Sequence, residues 1–263
     1  MTKKKQILNR FNKRSDGRIY TIAFKKPPYA LLDNSLYSVI EAGSDLHQRH
    51  FAICDNTGDN ISKLNPIYSE HTATYWLWKN MDTDFRFIGQ MQYSKWLKYP
   101  ETTDFNAIFQ DYNVILPTPL KWEDWTLETQ WKYWHMPVFF DTATEIINEK
   151  FSEYSDAWRE YVINGHEIYY GAGFIMPVET FGKYCSFVFG VCDEMLERFG
   201  GMEAIHGIIK KAIADGSFVD KLAGREGFYQ GLVFGFLFER LATAFFKKLG
   251  KIKEIDYTIK EHV

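Results

Sequence analysis

The chain has 263 residues, 46% of them hydrophobic and 25% charged, enough for a substantial core and unlike a disordered protein. A net charge of −3 gives no bulk argument for nucleic acid, although an aromatic share of 17% suits stacking on sugars or bases as well as filling a core. The three cysteines are odd in number and lack metal spacing, which argues against a disulfide framework and for a reducing compartment.

Through Lys26 the chain carries nine Lys and Arg against one acid, Asp16. Residues 1–17 read as a basic segment, a solvated tail first and otherwise a surface for a phosphate backbone or anionic lipid. It contains no leader-like apolar stretch. No apolar run reaches about 18 residues, since the nearest, 231–246, holds Glu239 and Arg240. A cytoplasmic protein is expected, in the host cytoplasm if the chain is viral.

Residues 18–24 predict a buried strand, stopped by Lys25-Lys26-Pro27-Pro28. The apolar run 38–42 ends at Gly43, and 44–60 predicts a polar loop. A turn at Asn65-Pro66 leads into a predicted helix over 68–80, dense in aromatic and polar groups. Strands follow at 85–93 and 112–116, the second closed by Pro117. Residues 126–140 and 142–162 predict helices, and 169–176 a strand. Helices at 178–199, 202–214 and 228–249 precede a short edge strand at 251–257. Strands alternating with helices of this length predict an α/β fold, a mainly parallel or mixed sheet flanked by helices in one domain, 18–263. Ligands of such sheets sit beyond the carboxyl ends of the strands. That rule gathers Lys25-Lys26, Gly43, Gln92-Tyr93 and Pro117-Thr118 at one edge.

Dinucleotide, P-loop and nucleophile-elbow motifs are absent. His47 and His50 stand three apart beside Asp45, and this spacing in a polar loop reads as solvated rather than metal-binding. Asp82-Thr83-Asp84 precedes a predicted strand, whereas a diphosphate-bridging Asp-x-Asp follows one, so a turn is the expected reading. Glu239-Arg240 inside an apolar helix is costly unless paired or used; a structural ion pair and a catalytic role weigh equally.

Five stretches together resemble a bacterial family long known only as a domain of unknown function, found in capsule and O-antigen gene clusters and including galactofuranosyltransferases. They are 22–43; Asn65-Pro66 with Glu70, Thr72, Tyr75, Trp76, Trp78, Lys79 and Asn80; and Ile115-Leu116-Pro117 with Thr126, Gln130 and His135, where Trp131 replaces Tyr. The others are Phe174-Ile175-Met176 with Phe181, Tyr184 and Cys185, and Arg225 with 235–241. One departure stands out: the family's His-Tyr-Arg-Arg is Gln92-Tyr93-Ser94-Lys95 in this chain.

The resemblance implies a GT-A-like (Rossmann-like) glycosyltransferase using a nucleotide-diphosphate sugar, hexosyl or pentosyl. Under it, Phe24, Lys25, Gly43, Asn65, Tyr68, Glu70, Thr72, Lys79, Gln92, Tyr93 and Lys95 hold the donor. Glu239 is expected as base with Arg240 in support, and Trp131 and His135 as acceptor-binding. Mg²⁺ or Mn²⁺ enters as an option at the diphosphate, with no metal ligand assigned. The acceptor is expected to be a surface glycan, reached through peripheral membrane contact; the alternatives are hydroxymethylcytosine in viral DNA and a non-catalytic carbohydrate- or nucleic-acid-binding relative.

Overall fold

The computed structural model describes residues 16–27, 30–81, 84–169, 173–225, 227–256 and 258–259. Most of the basic segment, Asp82 and Tyr257 lie outside them. Strand β1 (Gly17–Ala23) is buried along its whole length, with Tyr20 and Ile22 in one apolar cluster and Ile19 in another. Burial on both faces explains why it reads as a continuous apolar run. Next come β2 (Tyr37–Glu41) and β3 (Ile53–Cys54), the latter a short strand inside the expected polar loop.

The expected helix over 68–80 is two pieces. Helix α1 (Asn65–Tyr68) ends at Ser69, whose φ of 53° breaks it before α2 (His71–Asn80). Strands β4 (Phe87–Gln92) and β5 (Lys95–Trp96) form a tight hairpin, followed by α3 (Phe105–Asp111), β6 (Val114–Pro117) and β7 (Leu120–Lys121). The expected helix over 126–140 breaks before Pro137, which has no N–H to continue it: α4 (Leu127–Trp134) ends there, and α5 (Pro137–Lys150) runs on into the second expected helix. Helix α6 (Ser155–Trp158) continues into a widened π turn over Arg159–Ile163. Strands β8 (Glu167–Ile168) and β9 (Phe174–Pro177) lead to α7 (Val178–Phe199) and α8 (Met202–Ala214). Helix α9 (Val233–Leu249), β10 (Ile252–Ile255) and β11 (Thr258–Ile259) complete the described chain.

Seven strands lie in the order β10-β6-β9-β4-β1-β2-β3, with β5 and β11 attached beside β4. Neighbours are parallel except β9, which runs antiparallel between β4 and β6. This is a mixed, mainly parallel α/β sheet with apolar clusters on both faces, the larger one under α2, α5, α7 and α9. The carboxyl ends of β1, β2, β4 and β6 therefore share one edge. No helix among the described residues is long and apolar enough to cross a membrane.

Candidate active site

Four stretches converge beyond the ends of β1 and β4. The end of β1 brings Phe24 and Lys25, both exposed; the Phe24 ring meets Tyr93 edge-on at 5.3 Å. The hairpin pairs Gln92 directly with Lys95, so both side chains and Tyr93 are held on a two-residue turn. The kink at Ser69 brings Glu70, and α9 brings Glu239 and Arg240.

Ser69 stands at positive φ, a conformation that side chains other than glycine adopt at a cost of about 1–3 kcal/mol. Asn65 Nδ2 stabilises it by donating to the Ser69 carbonyl at 2.7 Å, and Ser69 Oγ donates to Glu70 Oε2 at 2.6 Å. The Gln92 side-chain amide donates to the other Glu70 oxygen. Burial alone would lift the Glu70 carboxyl, yet His71, Ser69 and Gln92 hold it below the usual carboxylate range. Burial pushes His71 down to about 4 against the pull of Glu70, which leaves the imidazole neutral at pH 7. Its ring stacks on Phe238 at 3.9 Å and so ties the start of α2 to α9 one residue before Glu239. Lys95 lies in the field of both Glu239 and Glu70, although burial still lowers its proton affinity.

Glu239 is 12% exposed and meets Arg240 at 3.0 Å. Arg240 is buried; it donates to the Phe236 carbonyl at 2.9 Å and to Gln130 Oε1, with its guanidinium 5.4 Å from the Trp131 ring. A guanidinium is tolerated in the interior when carboxylate, carbonyl and amide surround it in this way. Beside this pair opens a cavity of about 140 Å³ lined by Trp122, Gln130, Trp134, His135, Arg225, Tyr229, Phe236, Glu239 and Arg240.

His135 packs on Phe236 at 4.2 Å with the rings tilted by 31°, and its Nδ1 is 3.2 Å from Gln230 Oε1. Gln230 Nε2 donates to the Trp134 carbonyl at 2.9 Å and to Asp220 at 3.0 Å, so the oxygen of this amide must face His135. His135 Nδ1 therefore carries the proton and Nε2 the lone pair. Burial, reinforced by Arg240, pushes this imidazole down to about 3, so it works as a neutral hydrogen-bond acceptor.

Other expected residues stand apart. Tyr68 is buried among Phe189, Phe234 and Phe238 and donates to Asp193 at 3.3 Å. Thr72 is fully buried, bonded to Asn65 and the Ser69 carbonyl. These two support the kink from inside and present nothing to the cleft. Lys79 lies about 12 Å along α2 from His71, its ammonium 3.4 Å from the Trp78 ring. Gly43 and Asn65 face each other beyond β2, where a Cβ on Gly43 would come within 2.7 Å of the Asn65 side chain. Trp131 is fully buried and donates to the Met136 carbonyl at 3.0 Å, under the pocket rather than in its wall. Asp84 is exposed at the amino end of β4, the opposite edge from Gln92.

Sequence reasoning missed the pocket's aromatic wall. Trp122, Trp134, Tyr229 and Phe236 come from separate stretches with no shared period, while Gln130 and Arg225 were visible only through the resemblance. A divalent ion at a diphosphate asks for open, paired carboxylates. Here Glu70 is bound by Ser69 and Gln92, Glu239 by Arg240, and Lys95 lies in the field of both. This donor set does not fit a metal cage.

The family described as "Domain of unknown function (DUF4422)" matches residues 18–204. The chain belongs to this family. No curated protein matches the chain. Among solved structures it is similar to one titled "WbbM bifunctional glycosytransferase apo structure", with a TM-score of 0.68 and 20% identity over 93% of this chain. The chain spans 45% of that structure's length. The DUF4422 protein thus shares its fold with part of that structure, and its family-matched region carries α1, α2 and the β4–β5 hairpin but stops short of Glu239.

Proposed function

We propose that this protein is a GT-A-type glycosyltransferase that moves a sugar from a nucleotide-diphosphate sugar to an acceptor hydroxyl. One observation carries this reading: Lys95 lies in the field of both Glu70 and Glu239, and the Glu239–Arg240 pair forms a wall of an aromatic pocket. Displacement at an anomeric carbon releases a diphosphate, which needs cations, and requires a carboxylate for the proton of the incoming hydroxyl. Lys95 and Arg240 are the cations of this reading, and Glu239 its carboxylate. In the reaction the bond from anomeric carbon to diphosphate oxygen breaks and that from carbon to acceptor oxygen forms. The acceptor proton passes to Glu239, while His135 Nε2 and the pocket rings orient the acceptor.

Phe24, Lys25, Glu70, Gln92 and Tyr93 are proposed to hold the nucleotide and sugar. The acceptor proposed is a surface glycan, in line with the capsule and O-antigen setting of the family it resembles. A second reading, hydroxymethylcytosine in viral DNA, draws on the same rings, which suit an extruded base. Purified protein incubated with uridine- and guanosine-diphosphate sugars, together with glycan or hydroxymethylated DNA acceptors, separates the two by which product gains mass. Glu239→Gln is expected to lower turnover by about 10²–10⁴-fold with donor binding retained. Near-normal turnover in that variant removes Glu239 from the role. Donor binding without turnover would point to a non-catalytic relative, and no calorimetric binding of any nucleotide sugar would overturn the whole reading.

A further inference from the structure

On the opposite face of β2 from the larger core cluster, Glu41 meets two imidazoles that come from the loop leading to β3. The carboxylate is fully buried and fixed in orientation: Oε2 accepts the backbone N–H of His50 at 2.8 Å and of Phe51 at 3.0 Å. Its other oxygen, Oε1, is 2.8 Å from His50 Nδ1 and 3.4 Å from His47 Nδ1. The three ligand-type atoms lie within 4.8 Å of one another. Asp45, the acid next to them in sequence, instead accepts from Asn56 at 2.8 Å.

The contacts of His47 fix how its ring is presented to this cluster. Its Nε2 is 3.1 Å from the Ala42 carbonyl, which only accepts, so Nε2 carries a proton. Its Nδ1 faces the Gln48 carbonyl at 3.1 Å and Glu41 Oε1 at 3.4 Å. Two oxygens facing one imidazole nitrogen make this a place that favours a positive centre. An imidazole whose outer nitrogen donates to a backbone carbonyl is also how metal-bound histidines are oriented.

We propose that Glu41, His47 and His50 form a binding site for a zinc-class divalent cation. Zinc takes imidazole and carboxylate ligands at roughly 2.0–2.2 Å, which places tetrahedral ligand atoms about 3.3 Å apart. The two separations from Glu41, 2.8 and 3.4 Å, bracket that value, and the two imidazole nitrogens lie within 4.8 Å of each other. Both histidines are about one-third exposed, so the ion has an entry path and a fourth position open to solvent. Bound there, the ion pins the loop of residues 46–52 to the ends of β2 and β3. This site is separate from the Glu70–Glu239 cleft and does not depend on the proposed transfer reaction.

The test is zinc titration of the untagged full-length chain in competition with a chromophoric chelator, followed by X-ray absorption at the zinc edge. One zinc per chain is expected, with two imidazoles and a carboxylate oxygen as protein ligands. His47→Ala and His50→Ala should each weaken binding by about tenfold or more with an unchanged far-ultraviolet circular dichroism spectrum, whereas exposed His166→Ala should not. Magnesium should not compete. The proposal is overturned if the chain binds no zinc at micromolar concentration, or if the His47 and His50 variants bind like the parent. It is equally overturned if nitrogen NMR with zinc present shows His47 doubly protonated at neutral pH, because a proton then fills the place assigned to the metal.

Discussion

His135 Nδ1 and Gln230 Oε1 stand 3.2 Å apart, and this contact settles which nitrogen of a pocket-lining histidine keeps its lone pair. Gln230 can impose that choice because both protons of its amide are committed, to Trp134 and Asp220. Gln230→Ala removes all three contacts in a buried place and is expected to cost about 1–3 kcal/mol, read from urea unfolding. If stability is unchanged, the network has no structural weight.

Lys95 is the cation proposed to meet a leaving diphosphate; burial lowers its proton affinity, and the fields of Glu239 and Glu70 oppose that fall. Charge-assisted hydrogen bonds are worth about 1.5–3 kcal/mol. Lys95→Gln should therefore weaken nucleotide-sugar binding by roughly ten- to a hundredfold in calorimetry. Unaltered affinity would move the diphosphate elsewhere along the edge.

Gly43 occupies φ of +69° with its backbone N–H donated to Asp55 at 2.7 Å and Asn65 directly above it. Any Cβ there meets both a disfavoured conformation and a neighbouring side chain. Gly43→Ala is expected to lower stability by about 1–3 kcal/mol. Because Asn65 also supports the Ser69 kink, donor binding should fall with it; a variant as stable as the parent would show that Asn65 can move aside.

Stability should depend on pH through the buried histidines. His135 is pushed down to about 3 and His71 to about 4, both below the ordinary 6.5 of an unfolded histidine. Between these limits the unfolded chain binds protons that the folded chain does not, so folding stability rises with pH. The contribution is complete above pH 6.5 and is lost as pH falls toward 4, each tenfold change in proton affinity being worth about 1.4 kcal/mol. Urea unfolding at pH 7, 6 and 5 should show a midpoint that falls throughout, with a shallower fall in His135→Phe. A flat profile would mean that these rings are not buried neutral.

Local chemistry made much of this protein readable in one dimension. The bounds of α7 and α8 follow from amphipathic periodicity, and the edge that gathers Lys25, Gly43 and Gln92 follows from parallel strands alone. Chain-local patterns were blind to the kink at Ser69, because its left-handed backbone is occupied by a serine rather than a glycine and is held by a side-chain contact, the Asn65 amide on its carbonyl. The same holds for the sites. Glu239 stood out as a charge in an apolar helix, but that it shares Lys95 with Glu70 depends on α9 packing against the start of α2 through His71 and Phe238. His47 and His50 gave a spacing without a third ligand, since Glu41 belongs to a strand and reaches them only when the loop folds back. Periodicity and turn chemistry act over a few residues, whereas electrostatic pairing and ligand geometry act through space, so the elements could be read from the chain and the constellations required the fold.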